Sequence, residues 1–266
     1  MEFLKFIFYG LIQGLTEFIP VSSTAHLKII SVLFDIEDPG VSLSAIIQFG
    51  SVVAIFWYFR REIFNSLNTN FKSIYDSFFS QKLFKSIFIG TIPIVCIGAI
   101  IKLLWPQFSY SYLRSNFSIG IVSLLMALLM FLADISHTKN INIKNHKFSD
   151  SLFIGIAQAF AIIPGVSRAG ATISVALISG WERRDAAKFS FLLGIPAISL
   201  AAFVEFLTAV NNFSTLPLYP LIFGLITTFF SSLLAIDFVI KYLSSRGLRL
   251  FIYYRLMFGI LILLNL

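Results

Sequence analysis

The sequence contains six apolar runs that are each close to the length of a membrane-spanning helix. They cover residues 45–59, 87–105, 117–134, 188–209, 218–240 and 250–266. A helix needs about 20 mostly apolar residues to cross the hydrocarbon core of a bilayer, and few charges interrupt these runs. Repeated runs of this kind predict a polytopic, all-α membrane protein.

The composition excludes a water-soluble chain. Apolar residues make up 58% of the 266 residues, and charged residues only 12%. Soluble domains carry about 25% charged residues, so this chain lacks the polar side chains that would cover a water-facing surface. The net charge of +7 does not indicate a nucleic-acid partner, because Lys and Arg are scattered between the apolar runs. We expect a single membrane domain over 1–266, with the bilayer as its partner.

Two further apolar stretches, 3–34 and 151–180, are interrupted near their centres. Pro20 interrupts the first and Pro164 the second, and hydroxylated residues or glycines follow each proline. A continuous helix disfavours such residues, so each stretch predicts a pair of helices that folds back inside the membrane. The expected fold has six transmembrane helices and two re-entrant helix-loop-helix segments.

The distribution of basic residues predicts how these segments are oriented. Four segments, 60–86, 135–150, 181–188 and 241–249, hold 14 of the Lys and Arg residues, whereas the alternate loops hold three. Basic residues of short loops stay on the cytoplasmic side of a membrane, so the four segments are assigned inside. The first re-entrant segment then opens outward and the second opens to the cytoplasm.

Opposite openings predict that residues 1–134 and 151–266 are two inverted repeats. A weak echo in the sequence supports this interpretation. GLIQGLTEFIPVSS at 10–23 and GIAQAFAIIPGVSR at 155–168 share Gly, Gln, Val and Ser at a constant offset of 145. Inverted repeats with paired interrupted helices commonly place a binding site between them, near the midplane of the membrane.

The two interrupted segments also hold Glu17, His26 and Arg168. Charged groups inside a membrane cost about 2.5–3.5 kcal/mol each, so each of them needs a partner or a role. In the first segment, Ser22, Ser23 and Thr24 stand where the next helix begins, and a helix start favours anions. Arginine suits bidentate contact with phosphate. Together these groups predict a phosphate site with a nucleophile and a base.

Structural interpretations stay open beside the functional one. The hydroxyls could satisfy backbone groups freed by the interruptions, and His26 could be a hydrogen-bonded structural imidazole. Gln13 and Gln158 could be amides that pack helices together. Four charged residues near the ends of the runs are expected to snorkel to the interface or to pair locally. These are Asp134, Glu205, Asp237 and Arg255.

Four motifs resemble the undecaprenyl-diphosphate phosphatase family of bacteria. They are QGLTEFIPVSSTAHL at 13–27, IIQFGSVVAIFWYF at 46–59, PGVSRAGATIS at 164–174 and AAKFSFLLGIP at 186–196. The resemblance implies a multi-pass protein of the inner membrane that hydrolyses undecaprenyl diphosphate, a polyprenyl diphosphate lipid, to undecaprenyl phosphate and inorganic phosphate. That activity recycles the lipid carrier of cell-wall synthesis and confers resistance to bacitracin, which sequesters the diphosphate.

The resemblance also implies the functional residues. The expected catalytic residues are Glu17, Ser23, His26 and Arg168, and the expected substrate-binding residues are Gln13, Ser22, Thr24, Ser167 and Thr172. Glu17 is in addition the expected ligand of a divalent cation, Mg²⁺ or Ca²⁺. Two positions depart from the family pattern, because Gln13 and Ser44 stand where many members have glutamate. These departures bear on how strongly a metal would bind.

Three alternatives remain open at this point. A lipid flippase or an ion-coupled secondary transporter is also built as an inverted repeat with broken helices, and a lipid-binding structural protein is the third class.

For a phosphatase, Ser23 could attack phosphorus, or water could attack while the serines only bind phosphate. The oligomeric state is also open, with a homodimer as one of its alternatives.

Overall fold

The computed structural model describes residues 2–36, 38–61, 81–136, 140–210 and 218–265, which are almost entirely helical. In these ranges ten α-helices follow one another: α1 (Glu2–Phe18), α2 (Ser23–Leu33), α3 (Gly40–Tyr58), α4 (Gln81–Leu104), α5 (Asn116–Ile135), α6 (Phe148–Ala159), α7 (Arg168–Ile178), α8 (Arg183–Val210), α9 (Leu218–Arg246) and α10 (Arg249–Asn265). Short 3₁₀ turns occupy Pro106–Tyr110, Tyr112–Arg114 and Phe160–Ile162. Lys72 and Lys139, two of the basic residues used to predict orientation, lie outside the described residues.

Both interrupted stretches form helix pairs, as the sequence predicts. Pro20 lies between α1 and α2, and Pro164 lies between the 3₁₀ turn at Phe160–Ile162 and α7. The helices α2, α6 and α7 have 11 or 12 residues, well short of the roughly 20 that cross a bilayer. The helix-loop-helix form of these segments is therefore confirmed, whereas their re-entry from opposite sides stays a prediction.

Four described helices are long and apolar enough to cross a membrane, namely α4, α5, α8 and α9. The other two predicted spans also form helices, α3 and α10, but they are not among these four. Large apolar side chains cover the outer surface, and Phe84, Leu103 and Leu104 are each more than 70% exposed. The chain is thus a polytopic helical membrane protein, and the count of six crossings stays a prediction.

Pairs of glycines bring the first helix of each interrupted segment against a long helix. A Cβ atom on Gly10 of α1 would overlap the carbonyl oxygen of Gly224 in α9. A Cβ atom on Gly155 of α6 would likewise overlap the carbonyl oxygen of Gly90 in α4. Small residues allow such close backbone approach between membrane helices, so α1 and α6 are held in equivalent ways.

The largest buried cluster lies next to the interrupted segments. Phe18, the last residue of α1, is fully buried and meets the ring of Phe191 in α8 edge-on, with 5.0 Å between the centroids. Ala169 and Ile173 of α7 belong to the same cluster. This packing fixes the end of α1 and the start of α7 beside α8, where the predicted site residues lie.

Candidate active site

The loops that follow Pro20 and Pro164 end in the same unusual backbone conformation. Ser22 precedes α2 with φ 77° and ψ 101°, and Ser167 precedes α7 with φ 70° and ψ 114°. A positive φ at a non-glycine residue costs about 1–3 kcal/mol and is concentrated at functional sites. The Ser167 Oγ accepts a hydrogen bond from the Gly170 N–H at 3.1 Å, so this hydroxyl caps α7. The two serines therefore set the start of α2 and of α7 in matching geometry.

Glu17 is the centre of a hydrogen-bonded group that joins both loops. Glu17 is buried, with 5% of the residue exposed. The Oε2 atom accepts hydrogen bonds from Gln13 Nε2 and from Ser23 Oγ, each at 3.0 Å. The Oε1 atom accepts from Nε and Nη2 of Arg168, each at 3.4 Å. Gln13 lies one helical turn before Glu17, and the loop at Pro20 returns Ser23 to the same carboxylate.

Arg168 reaches Glu17 from the start of α7 and is held on its other side by α8. Its Nη1 donates to the Ser190 carbonyl oxygen at 2.9 Å. The Thr172 hydroxyl donates to the Arg168 carbonyl oxygen at 2.8 Å and lies 2.6 Å from the Ser190 hydroxyl. Gly194, one turn beyond Ser190, leaves the space that the guanidinium fills, because a Cβ there would lie 2.5 Å from Nη1. Sequence reasoning did not assign this role to Gly194.

His26 lies apart from this group, against α10. Its Nδ1 donates to the Ser22 carbonyl oxygen at 2.7 Å, and its Nε2 lies 2.6 Å from the Tyr254 hydroxyl. The Phe258 ring stacks on the imidazole with 4.4 Å between the centroids. A neutral His26 would therefore accept from Tyr254, and these contacts hold the ring in one orientation. Thr24 lies in the first turn of α2 and is partly buried.

Arg255 corrects an expectation from the sequence. An interfacial or locally paired side chain was expected, but Arg255 is fully buried. Its guanidinium donates to carbonyl oxygens of both loops, to Pro20 at 3.1 Å, to Val166 at 3.2 Å and to Gly165. Arg255 lies almost two turns inside α10. Its position near the start of the apolar run 250–266 therefore wrongly indicated a side chain at the membrane interface. An arginine inside a membrane helix is itself the signal of a functional or structural site.

The other charged residues near the ends of the runs are locally paired, as expected. Asp134 lies 2.7 Å from Arg183, Asp237 lies 2.7 Å from Lys241, and Glu205 accepts from the Ser42 hydroxyl at 2.7 Å. None of these pairs includes a residue of the Glu17 group.

The two remaining histidines lie in the segment between α5 and α6. His137 is outside the described residues. His146 is buried, with Nδ1 donating to the Ile143 carbonyl oxygen and Nε2 accepting from the Ser86 hydroxyl, each at 2.7 Å. Burial lowers the pKa of His146, which favours the neutral ring. Its contacts are those of a structural histidine.

Comparison with known proteins decides the family. The family model described as "Bacitracin resistance protein BacA" matches residues 6–261. The chain belongs to this family. Similar curated proteins are undecaprenyl-diphosphatases of Prochlorococcus marinus strain MIT 9515, at 74% identity over 100% of both chains, and of subspecies pastoris, at 71% over 100% of both. The protein of that name from strain NATL2A is 47% identical over 98% of this chain and 95% of its own.

In this member of the BacA family, the described residues around Glu17 do not by themselves complete a site for a divalent cation. The described residues contain no group of three or more His, Cys, Asp or Glu side chains that could hold a metal ion. Glu17 supplies one carboxylate, which already faces Arg168 at 3.4 Å. Mg²⁺ is commonly held by one or two carboxylates together with phosphate oxygens of the substrate. A diphosphate would therefore have to complete the ligand shell.

Proposed function

We propose that the protein is an undecaprenyl-diphosphate phosphatase that hydrolyses undecaprenyl diphosphate to undecaprenyl phosphate and inorganic phosphate. The names of its full-length relatives in the BacA family support the substrate. One structural observation carries the proposal: Glu17 contacts both Ser23, across the first loop, and Arg168, from the second. A base beside a hydroxyl and opposite an arginine is suited to phosphoryl transfer. The product is the lipid carrier that cell-wall synthesis reuses, and removing the diphosphate gives bacitracin resistance.

The crevice between the two loops would bind the diphosphate. Arg168 offers a planar fork that matches two phosphate oxygens. The first turn of α2 adds backbone N–H groups and the positive end of its dipole. Ser22 and Thr24 lie at the start of α2, and Ser167 and Thr172 at the start of α7; their hydroxyls are proposed to contribute to substrate binding. Phosphoryl transfer depends mainly on such positioning and charge neutralisation.

Ser23 is the proposed nucleophile and Glu17 its base. The Oγ–H of Ser23 already points to Oε2 of Glu17 at 3.0 Å, within the range required for proton transfer. As Oγ bonds to the terminal phosphorus, Glu17 accepts the proton and the P–O bond to undecaprenyl phosphate breaks. Glu17 then passes this proton to solvent and, as a carboxylate again, accepts a proton from the water molecule that attacks the phosphoserine. The P–O bond to Ser23 breaks, inorganic phosphate leaves, and the Ser23 oxygen takes the proton from Glu17. In the competing version Glu17 activates water directly, and Ser23 only binds phosphate.

His26 and the divalent cation have supporting parts in this proposal. His26, held by Ser22 and Tyr254, would orient groups at the start of α2 or, in its protonated form, would protonate the leaving oxygen. A cation, Mg²⁺ or Ca²⁺, would be held by Glu17 together with the substrate and would neutralise charge on the phosphate oxygens.

We also propose the detailed topology from the sequence: six crossings, two re-entrant segments and inverted repeats over 1–134 and 151–266, in the bacterial inner membrane. Matching φ and ψ at Ser22 and Ser167 support the repeat. The equivalent glycine contacts of α1 with α9 and of α6 with α4 support it as well. A homodimer stays a prediction.

Phosphate release separates this function from transport. The protein, purified in detergent and given undecaprenyl diphosphate, is expected to release inorganic phosphate, and the Arg168→Ala variant is expected to release it about 10²–10³-fold more slowly. A flippase or an ion-coupled carrier would instead move the intact lipid across reconstituted vesicles without releasing phosphate. That result would overturn the proposal.

Gly194→Ala is expected to lower the rate of phosphate release by about 100-fold, because displacing a positioned group by about 1 Å can cost that much. The new methyl group would lie 2.5 Å from Arg168 Nη1 and would force the guanidinium away from Glu17. Gly98→Ala in α4 is the matched control, since a Cβ there meets nothing within 4 Å. Equal activities of the two variants in the phosphate-release assay would contradict the assigned position of Arg168.

Arg255→Met is expected to lower the free energy of unfolding by about 2–5 kcal/mol, because it leaves carbonyl groups of both loops buried without a donor. Thermal unfolding in detergent measures the effect. Arg249→Gln is the control on the same helix, with a side chain that is 80% exposed, and should unfold like the unaltered protein. If Arg255→Met unfolds at the same temperature as this control, Arg255 does not hold the loops together.

A further inference from the structure

A cationic cleft lies where α8, α9 and α10 meet, and it shares no lining residue with the candidate active site. It has a volume of about 410 Å³ and is lined by Arg183, Tyr242, Ser245, Arg246 and Arg249. Among the described residues that line it, three of five are arginines and none is an aspartate or a glutamate. A cleft of this charge favours an anionic ligand.

Asp134 neutralises only part of this charge from behind the cleft. It lies 2.7 Å from Arg183 and 4.0 Å from Arg249, and it accepts the Leu248 N–H at 3.2 Å. The Arg249 side chain stays 80% exposed, and the Arg246 guanidinium lies 5.8 Å from the Tyr242 ring centroid. Within the described part of the chain, Arg183 Nε is buried and has no hydrogen-bond acceptor. The cleft therefore keeps a positive charge that an added anion would neutralise.

The wall of the cleft is preformed by the turn between α9 and α10. Gly247 in this turn has φ +71°, and a Cβ there would lie 2.9 Å from the Arg183 Nη2 and would overlap Asp134. The backbone thus lies directly on the ion pair of Arg183 and Asp134. A side chain other than glycine would separate the two, so the turn holds the arginines in place.

An apolar stripe begins at the cleft and runs along α9. Phe238, Leu234 and Phe230 follow Tyr242 at intervals of four residues and are 41%, 69% and 61% exposed. Residues four apart lie on the same face of a helix, and the rings of Tyr242 and Phe238 are in contact at 5.5 Å. Twelve residues of helix extend about 18 Å, close to the roughly 15 Å of hydrocarbon in one leaflet. The stripe has the length of an acyl chain, which a free phosphate would not use.

A second cleft nearby shows that this charge is local. It has a volume of about 250 Å³ and is lined by Asn142, Ile143, Lys144, Glu182, Asp185 and Lys188. Its two lysines are balanced by two carboxylates, so it does not favour an anion. Replacing its two lysines removes the same charge as replacing two arginines of the first cleft, so the lysine variant is a matched control.

We propose that the arginine cleft binds the phosphate group of an acidic glycerophospholipid, with an acyl chain along the stripe from Tyr242 to Phe230. Basic pockets between transmembrane helices on the cytoplasmic side bind acidic headgroups in this way. The basic residues of 181–188 and 241–249 assign the cleft to the cytoplasmic leaflet. The site does not depend on the hydrolytic reaction, so it can be tested in inactive protein.

Native mass spectrometry of the full chain in a neutral detergent tests the site, with equal amounts of phosphatidylglycerol and phosphatidylcholine added. The unaltered protein is expected to retain phosphatidylglycerol in preference. In the double variant Arg246→Gln, Arg249→Gln, the preference for phosphatidylglycerol over phosphatidylcholine should fall about tenfold to thirtyfold. Each basic residue near a lipid surface contributes about 1 kcal/mol, and two are removed. The double variant Lys144→Gln, Lys188→Gln, which loses the same charge, should keep it.

Three results would overturn the proposal. Equal loss in both double variants would show general attraction of acidic lipid to a basic surface. Equal retention of the two lipids by the unaltered protein would show that the cleft selects no acidic headgroup. Displacement of phosphatidylglycerol by millimolar inorganic phosphate, or by undecaprenyl phosphate at a much lower concentration, would assign the cleft to a free anion or to the product lipid.

Discussion

Replacing Arg168 by lysine is expected to reduce the rate of phosphate release almost as much as replacing it by alanine, by about 10²–10³-fold. The Arg168 guanidinium contacts the Glu17 carboxylate on one side and the Ser190 carbonyl oxygen on the other. The ammonium group of lysine is a point charge and cannot keep a planar fork between these acceptors and a phosphate group. Steady-state phosphate release with undecaprenyl diphosphate gives kcat and KM for each variant.

Arg114→Lys is the control, because it conserves charge in the ion pair of Arg114 with Asp38, outside the site. We expect it to hydrolyse undecaprenyl diphosphate at the rate of the unaltered protein. If Arg168→Lys also stays close to that rate, the side chain acts as a point charge, and the bidentate contact with phosphate is wrong.

Ser23→Ala is expected to abolish phosphate release. The Ser23 hydroxyl is the nucleophile in the proposed reaction, and its proton already lies on the path to Glu17 at 3.0 Å. A hydroxyl that only bound phosphate would contribute about 1.5–3 kcal/mol, which corresponds to a loss of about ten- to 150-fold. The size of the loss therefore separates the two mechanisms, and phosphate release over long incubations measures it.

Ser244→Ala controls for loss of a serine hydroxyl in a long apolar helix. The Ser244 hydroxyl donates to the Ile240 carbonyl oxygen within α9, and we expect its removal to leave the rate unchanged. A Ser23→Ala enzyme that keeps a tenth of the activity would contradict the covalent mechanism and leave water as the nucleophile.

The sequence predicted the elements that local chemistry determines. Pro20 and Pro164 each break a helix, because proline removes a backbone donor and clashes with the preceding turn. Glu17 and Arg168 were found because an unpaired charge in an apolar segment is costly, and they form an ion pair although 151 positions separate them. The apolar run 218–240 underestimated the length of α9, which extends to Arg246. A helix can continue into polar sequence beyond its apolar part.

Features that depend on distant contacts were not predictable from the pattern. Arg255 was placed near an interface because its run starts nearby, yet it binds carbonyl groups 89 to 235 positions away. Tyr254 becomes the partner of His26 only when α10 packs against α2. Gly194 matters because the Arg168 guanidinium fills the space where a side chain would be. Each of these roles arises from packing between helices, which periodicity and composition do not specify.

A double-mutant cycle on Glu17 and Arg168 tests most directly whether the two loops form one phosphate-hydrolysing site. Phosphate release from undecaprenyl diphosphate is measured for Glu17→Gln, Arg168→Ala and the double variant, each checked for unchanged helical content. Residues that act as one unit give non-additive losses, so the double variant should be hardly slower than the slower single variant. Losses that multiply, or a single variant with full activity, would show that the two residues do not share one site.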